Sequence, residues 1–267
     1  MLSMLVPDVD VVARLRAAGC VFAEDEARLL AAAARTPAEF EVLTARRVAG
    51  LPLEHVVGWA EFCGLRVAVD PGVFVPRRRT ELMVRVAVAG ARPGAVVVDL
   101  CCGSGAVGAA VADRVAGVEL HAVDIDPAAV RCARRNVRVP RDGGRGLVYE
   151  GDLYAPLPAS LAGRVDVVVA NAPYVPTGAI GLMPPEARDH EPRVALDGGA
   201  DGLDVQRRVI ADAARWLAPG GRLLVETGAR QAAGTVAAFA RGGLRAEVVS
   251  DAELSATVVV GRLDPAV

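Results

Sequence analysis

Seven short, valine-rich runs, most of them separated by helix-length stretches, govern what this chain can become. They lie at 95–100, 118–124, 147–150, 165–170, 222–226, 244–250 and 256–263. Each has strand length, and their β-branched residues suit strands buried on both faces. Residues 106–115 and 127–138 read as helices between the early runs, with Asp126 as cap and Pro127 in the first turn of the second. Such alternation predicts a parallel sheet covered by helices on both sides. The final two runs break the pattern. Only 251–255 separate them, too few residues for a crossover helix, so they should pair antiparallel. The expectation is an α/β fold with a Rossmann-like seven-stranded sheet whose last strand is antiparallel.

The N-terminal part carries a different signature. Residues 10–18 and 23–34 read as helices, the first stopped by Gly19. Thr36-Pro37 supplies an N-cap and a first-turn proline for a third helix running to Gly50. Residues 61–69 have the pattern of a hairpin around Gly64, and Asp70-Pro71-Gly72 is a turn. The chain therefore divides into a small helical unit with a hairpin linker, 1–72, and an α/β unit, 73–267.

Two loops of the larger unit carry chemistry. After the first strand, Asp99-Leu100-Cys101-Cys102-Gly103-Ser104-Gly105 leads into a helix. Residues 103–108 fit G-x-G-x-x-G, and Asp124 lies 19 residues beyond Gly105. Glycines admit a ligand to the backbone, the helix start offers unpaired N–H groups, and an acid ending the next strand suits ribose hydroxyls. That spacing serves a dinucleotide or a methyl donor equally. Asp99 favours the donor, because S-adenosylmethionine carries an ammonium and a sulfonium where a dinucleotide carries pyrophosphate. Asp152 and Leu153, after the third strand, suit an adenine's amino group and face. After the fourth strand comes Asn171-Ala172-Pro173-Tyr174, at the sheet edge where open α/β folds bind ligands. The candidate cofactor residues are Asp99, Cys101, Cys102, Gly103, Ser104, Gly105, Asp124, Asp152, Leu153 and Asn171. An amide-bearing Asn beside a Tyr points to methyl transfer onto an amide or amino nitrogen. The competing reading makes the acids caps and Asn171 to Tyr174 a plain proline turn.

Composition narrows the partners. All 30 basic residues are arginine, which excludes Schiff-base chemistry and a phosphate-loop lysine. A net charge of −2 gives no polyanion-binding surface, so no nucleic acid is expected. Five cysteines without metal-like spacing and three scattered histidines point to reduced thiols, a cytoplasmic setting and no metal site. No leader pattern opens the chain, and no run nears the roughly 20 apolar residues of a membrane span.

These motifs together resemble the protein N(5)-glutamine methyltransferases that modify peptide chain release factors. Asn171-Ala172-Pro173-Tyr174 is similar to that family's Asn-Pro-Pro-Tyr signature. Residues 50–58 with Glu61-Phe62 resemble its linker, and Pro76-Arg77 with Thr80-Glu81 its Pro-Arg-Pro-Glu-Thr-Glu segment. Residues 190–199 and 201–204 are similar to a further stretch of the family. The resemblance implies a class I S-adenosylmethionine-dependent N-methyltransferase acting on a glutamine in an exposed loop of a protein. It makes Asn171, Ala172, Pro173 and Tyr174 catalytic: the Asn171 side-chain oxygen and the Ala172 carbonyl accept the substrate NH₂ hydrogens, and Tyr174 packs on the amide plane. The N-terminal helices would recognise the protein.

Departures are few. Ala172 stands for a proline; its carbonyl survives, the fixed φ is lost, and Pro173 still biases it to extended backbone. Cys101 and Cys102 stand for Gly and Thr, and Arg78 and Arg79 for Pro and Glu; those two arginines read as solvated charges. His190 reads as a loop brace rather than a base. Two rivals stand beside this reading: a nucleic-acid exocyclic amino methyltransferase, disfavoured by net charge, and a non-catalytic cofactor-binding module.

Overall fold

The computed structural model describes residues 9–137 and 144–264. It opens with α1 (Val9–Ala17), α2 (Ala23–Ala33) and α3 (Pro37–Val48). Gly19 follows α1 with φ of 91°. Thr36 Oγ1 accepts from the Glu39 N–H at 3.1 Å, and the Glu39 carboxylate accepts from the Arg35 N–H at 2.7 Å. Such a cap stabilises a helix by about 1 kcal/mol. A short α4 (Leu53–Val57) went unannounced, being too brief for a helical period. Val11, Leu15, Ala27, Leu30, Phe40, Leu43 and Val56 form a buried cluster of their own. Glu26 and Arg47 make a buried ion pair at 2.5 Å at its edge.

Next comes the hairpin, β1 (Trp59–Phe62) and β2 (Leu65–Ala68), beginning two residues before the stretch read from sequence. Its connection, Cys63-Gly64, has φ of 53° and 77°, the paired positive values of a two-residue turn that follows the strand twist. Phe62 and Val67 are buried in the large core. Asn136 ties the hairpin down: Nδ2 donates to the Ala68 and Ser104 carbonyls, each at 2.8 Å, and Oδ1 accepts from the Ala68 N–H at 2.9 Å.

The sheet comprises β3 (Val96–Leu100), β4 (Glu119–Asp124), β5 (Arg145–Glu150), β6 (Val165–Ala170), β7 (Leu217–Glu226), β8 (Arg245–Asp251) and β9 (Ala256–Arg262). Its order is β5-β4-β3-β6-β7-β9-β8. All seven expected strands are present. β9 runs antiparallel to both β7 and β8, so the reversed strand is last in the chain but lies inside the sheet. The helices are α5 (Glu81–Gly90), α6 (Ala106–Arg114), α7 (Pro127–Asn136), α8 (Pro185–His190), α9 (Arg193–Leu196), α10 (Asp204–Trp216) and α11 (Ala232–Arg241). Residue 138, expected at the end of α7, lies outside the described residues. Alternate residues feed two cores: Val97, Val167 and Leu224 on one face, Val98, Val168 and Leu223 on the other. Burial on both faces is why these strands read as unbroken apolar runs.

Candidate active site

The sheet topology builds the site. From β3 the chain turns to β4 on one side, and from β6 to β7 on the other. Leu100 is level with Ala170, so Cys101 and Asn171 leave the same edge side by side. One cleft follows that edge, lined by Asp99, Cys101, Cys102, Gly103, Ser104, Asp124, Asp152, Leu153, Asn171, Ala172, Pro173 and Tyr174. Gly105 is off its wall. Its φ is 76°, and a Cβ there would come within 2.9 Å of Val137 and 3.2 Å of Ala133, so its smallness serves the packing of α6 on α7.

At one end of the cleft the loop is held by its own amides. The Cys102 N–H donates to the Val123 carbonyl at 3.0 Å, and the Gly105 N–H to the Cys102 carbonyl at 2.7 Å. Asp124 accepts from the Gly103 N–H at 2.7 Å and the Asp126 N–H at 2.9 Å. Cys101 takes φ of 53°, a left-handed conformation that costs a side-chain-bearing residue about 1–2 kcal/mol. Asp99 is buried, and one oxygen accepts from the Gly108 N–H at 2.8 Å. It therefore caps the first turn of α6 while still facing the cleft. Burial pushes its carboxyl up to about 7 and raises that of Asp124 as well. Asp152 is paired with Arg208 at 2.5 Å. Ile125, half exposed although apolar, and Leu153 offer faces to a flat ring.

This set of groups discriminates between cofactors. The arginines of the cleft, Arg77, Arg79 and Arg208, are each paired with a carboxylate: Glu191, Glu226 and Asp152. Asp99 and Asp124 form no ion pair among the described residues. A pyrophosphate would find no uncommitted cation, whereas a sulfonium and an ammonium would find two uncompensated acids. The residues fit S-adenosylmethionine.

The other end carries Asn171, half-buried, whose side-chain amide makes no hydrogen bond with the described residues. Ala172 beside it is fully buried, and its carbonyl accepts none either. A buried carbonyl seldom goes without a donor. Two neighbouring acceptors are thus left unspent on the cleft. The Tyr174 hydroxyl donates to Glu226 at 3.3 Å, and burial pushes its phenol up, keeping it neutral.

The glycine-rich stretch after α9 braces this tip. The Val175 N–H donates to the Leu196 carbonyl at 3.0 Å, the Gly198 N–H to the Val175 carbonyl at 2.9 Å and the Thr177 N–H to the Gly199 carbonyl at 2.9 Å. Gln231 Nε2 donates to the Tyr174 and Asp201 carbonyls, both at 2.9 Å. A Cβ on Gly198 would lie 2.7 Å from the Pro173 carbonyl oxygen, and one on Gly202, at φ 78°, would collide with that of Tyr174. Gly202→Ala should therefore displace Tyr174, destabilise the fold by about 1–3 kcal/mol and slow turnover. Calorimetry and rate assays check this; unchanged values for both would contradict it.

The segment between hairpin and α5 reaches across to the same tip. Arg77 pairs with Glu191 at 2.5 Å, and Glu191 also accepts from the Val75 N–H at 3.2 Å. Arg79 Nε lies 3.4 Å from buried Glu226, with the guanidinium 6.0 Å from the Tyr174 ring centre. Arg79 is exposed, as the sequence reading has it, but it is also paired with a buried acid. Its partner ends a distant strand, so nothing local announced it. Arg78 makes no ion pair among the described residues and lines a separate groove with Glu61 and Glu81. His190 ends α8 and is not on the cleft wall.

Residues 64–182 match the family model described as "Methyltransferase small domain". The release factor glutamine methyltransferase of Mycolicibacterium smegmatis is 43% identical over 220 residues, 82% of this chain and 76% of that protein. The chain belongs to the release factor glutamine methyltransferase family. It is an S-adenosylmethionine-dependent methyltransferase. Also similar, 40% identical over 210 residues, is the 4-amino-L-phenylalanine/4-methylamino-L-phenylalanine methyltransferase of Streptomyces pristinaespiralis, matching 76% of this chain and 70% of that one. Among solved structures, a methyltransferase from Pyrococcus furiosus shares the fold, with a TM-score of 0.55 and 16% identity over 82% of this chain and 97% of that one.

Glu226 and Asn136 were absent from the sequence reading, and Glu191 entered it only within a resembling stretch. The one available signal was an acid ending an apolar strand, Leu223-Leu224-Val225-Glu226, which repeats the pattern that exposed Asp124. Among the described residues, no helix is long and apolar enough to cross a membrane.

Proposed function

We propose that this chain methylates the side-chain amide nitrogen of a glutamine in an exposed protein loop, with peptide chain release factors as its acceptors. The observation that carries this reading is the unspent pair, the Asn171 amide oxygen and the Ala172 carbonyl, beside the Tyr174 ring. An amide nitrogen is a weak nucleophile because its lone pair is shared with the carbonyl. Two acceptors off the amide plane engage both its hydrogens, favour a pyramidal nitrogen and stabilise the positive charge that grows there. Tyr174 fixes the plane of the group, and orientation supplies much of the remaining advantage. Bound S-adenosylmethionine supplies an electrophilic methyl group; Asp99, Cys101 to Gly103, Asp124, Asp152 and Leu153 would hold it. The amide exchanges one N–H for N–CH₃, and the proton leaves to solvent afterwards, so no general base is needed.

The unit 1–72 would seat the protein partner. It has its own buried cluster and leaves Val21, Phe22 and Val42 exposed. The five free cysteines support a cytoplasmic setting. Incubation with purified release factors and the methyl donor should add the mass of one methylene to a single glutamine; factors unchanged by mass spectrometry would refute the assignment.

Asp99 gives the site a pH dependence. Its carboxyl protonates near 7, and a cationic ligand favours the ionised form. Donor affinity should therefore rise as pH climbs towards about 7, by up to about tenfold per unit, and level off above it. Asp99→Asn should flatten that profile in calorimetric titrations; an equal slope would rule Asp99 out. Stability runs the other way. Native Asp99 keeps a proton that the unfolded chain releases between 3.8 and about 7, so its contribution declines across that window as pH rises.

A second reading follows from the Streptomyces pristinaespiralis relative, whose name specifies an aromatic amine on an amino acid. The same two acceptors would engage an aryl NH₂, and 4-amino-L-phenylalanine tests that directly.

A further inference from the structure

We infer that Gln231 is a positioning residue for methyl transfer: its side-chain amide sets the peptide plane of Tyr174 and so the ring that lines the acceptor end. The inference rests on the reading just given. Gln231 opens α11, at the position where a side chain often caps the helix, yet its amide makes no cap. Instead Nε2 donates to the Tyr174 and Asp201 carbonyls, both at 2.9 Å, and Oε1 accepts from the Gly228 N–H at 3.3 Å. Three segments thus meet on one amide: the tip of β6, the glycine-rich loop before α10 and the turn after β7. Two glycines make room for it. A Cβ on Gly228 would lie 2.8 Å from Oε1, and one on Gly202 would collide with Nε2.

The neighbours of Tyr174 are fixed by other means. Pro173 has its φ locked by its ring. The Val175 N–H and carbonyl engage Leu196 and Gly198, at 3.0 and 2.9 Å. Tyr174 lies between them, with its hydroxyl tied to Glu226. Among the described residues, no donor other than Gln231 reaches its carbonyl. The residue is therefore held at two points, the ring's far end by β7 and the backbone by Gln231. A carbonyl deprived of its donor turns to find another, and the peptide plane turns with it. The ring then swings about its remaining tether. Gln231 is not on the cleft wall, so it touches no acceptor and acts on the reaction through Tyr174. Misplacement by about 1 Å at a reacting centre costs up to about 10²-fold in rate.

The test uses the full chain, the methyl donor and a purified release factor, with turnover expressed per donor-binding site so that misfolded enzyme is not counted. Gln231→Ala should lower kcat by about ten- to a hundredfold and leave donor affinity within several-fold. Gln231→Glu keeps the size and the acceptor for Gly228 but, when ionised, donates to neither carbonyl. Its kcat should be low near pH 8, and its ratio to wild type should climb severalfold towards about pH 5.5, as a protonated carboxyl regains one donor. A purely structural role would lower the melting temperature without moving that ratio. If the alanine variant does not fold, the nearly isosteric glutamate variant decides alone. Wild-type kcat per site in a folded alanine variant, or a ratio that stays flat with pH, overturns the inference while the glutamine reading stands. A wild-type enzyme that methylates no release factor overturns that reading, and this inference with it.

Discussion

Asn171→Ala should lower turnover by roughly 10²–10³-fold, the usual cost of removing one positioned polar partner from a developing charge. Donor affinity should stay within several-fold, because the acids proposed to hold the donor lie on β3, β4 and the loop after β5. The residue is well suited to such a test. Its amide makes no hydrogen bond with the described residues, so its loss breaks no internal network. Its neighbour Ala172 keeps a carbonyl on the cleft, so acceptor binding should weaken less than catalysis. Single-turnover rates beside an acceptor titration separate the two effects. A variant that turns over at the wild-type rate would leave the tip of β6 without a chemical role.

Asp124→Ala should do the reverse, weakening the donor about ten- to a hundredfold with a smaller change in turnover at saturation. The carboxylate accepts from the Gly103 N–H at 2.7 Å and the Asp126 N–H at 2.9 Å, so it orders two loops that border the cleft. Hydrogen bonds to a charged acceptor contribute about 1.5–3 kcal/mol each, which sets the size of the effect. Asp124→Asn, keeping one acceptor oxygen, should recover part of the loss. Isothermal titration with the donor decides the matter, and an unaltered dissociation constant for the alanine variant would remove Asp124 from the site.

The inner strands β3, β6 and β9 were legible because they are buried on both faces and so read as apolar runs, and the reversal was legible because five residues cannot form a crossover. The loop after β3 and the tip of β6 were readable for a related reason: each follows a strand directly, so sequence order gives position at the edge. Less legible was anything that depends on two distant segments meeting. Arg79 lies in an arginine run that resembles ordinary surface, and only the pairing with Glu226 gives it a place. Asp99 offered two readings, helix cap and ligand group, and the structure has it capping α6 from the cleft wall. Gly105 fits the G-x-G-x-x-G spacing, yet its size is required by α7 behind it. A motif records which residues are constrained without recording the neighbour that constrains them.

The apolar cluster of α1 to α4 shares no buried side chain with either core of the sheet. Substitutions that reshape its outer surface therefore need no compensating change around the transferase cleft. On the proposed role of this unit in seating the protein partner, such a division would let a lineage trade one client for another while its methylating machinery stays as it was.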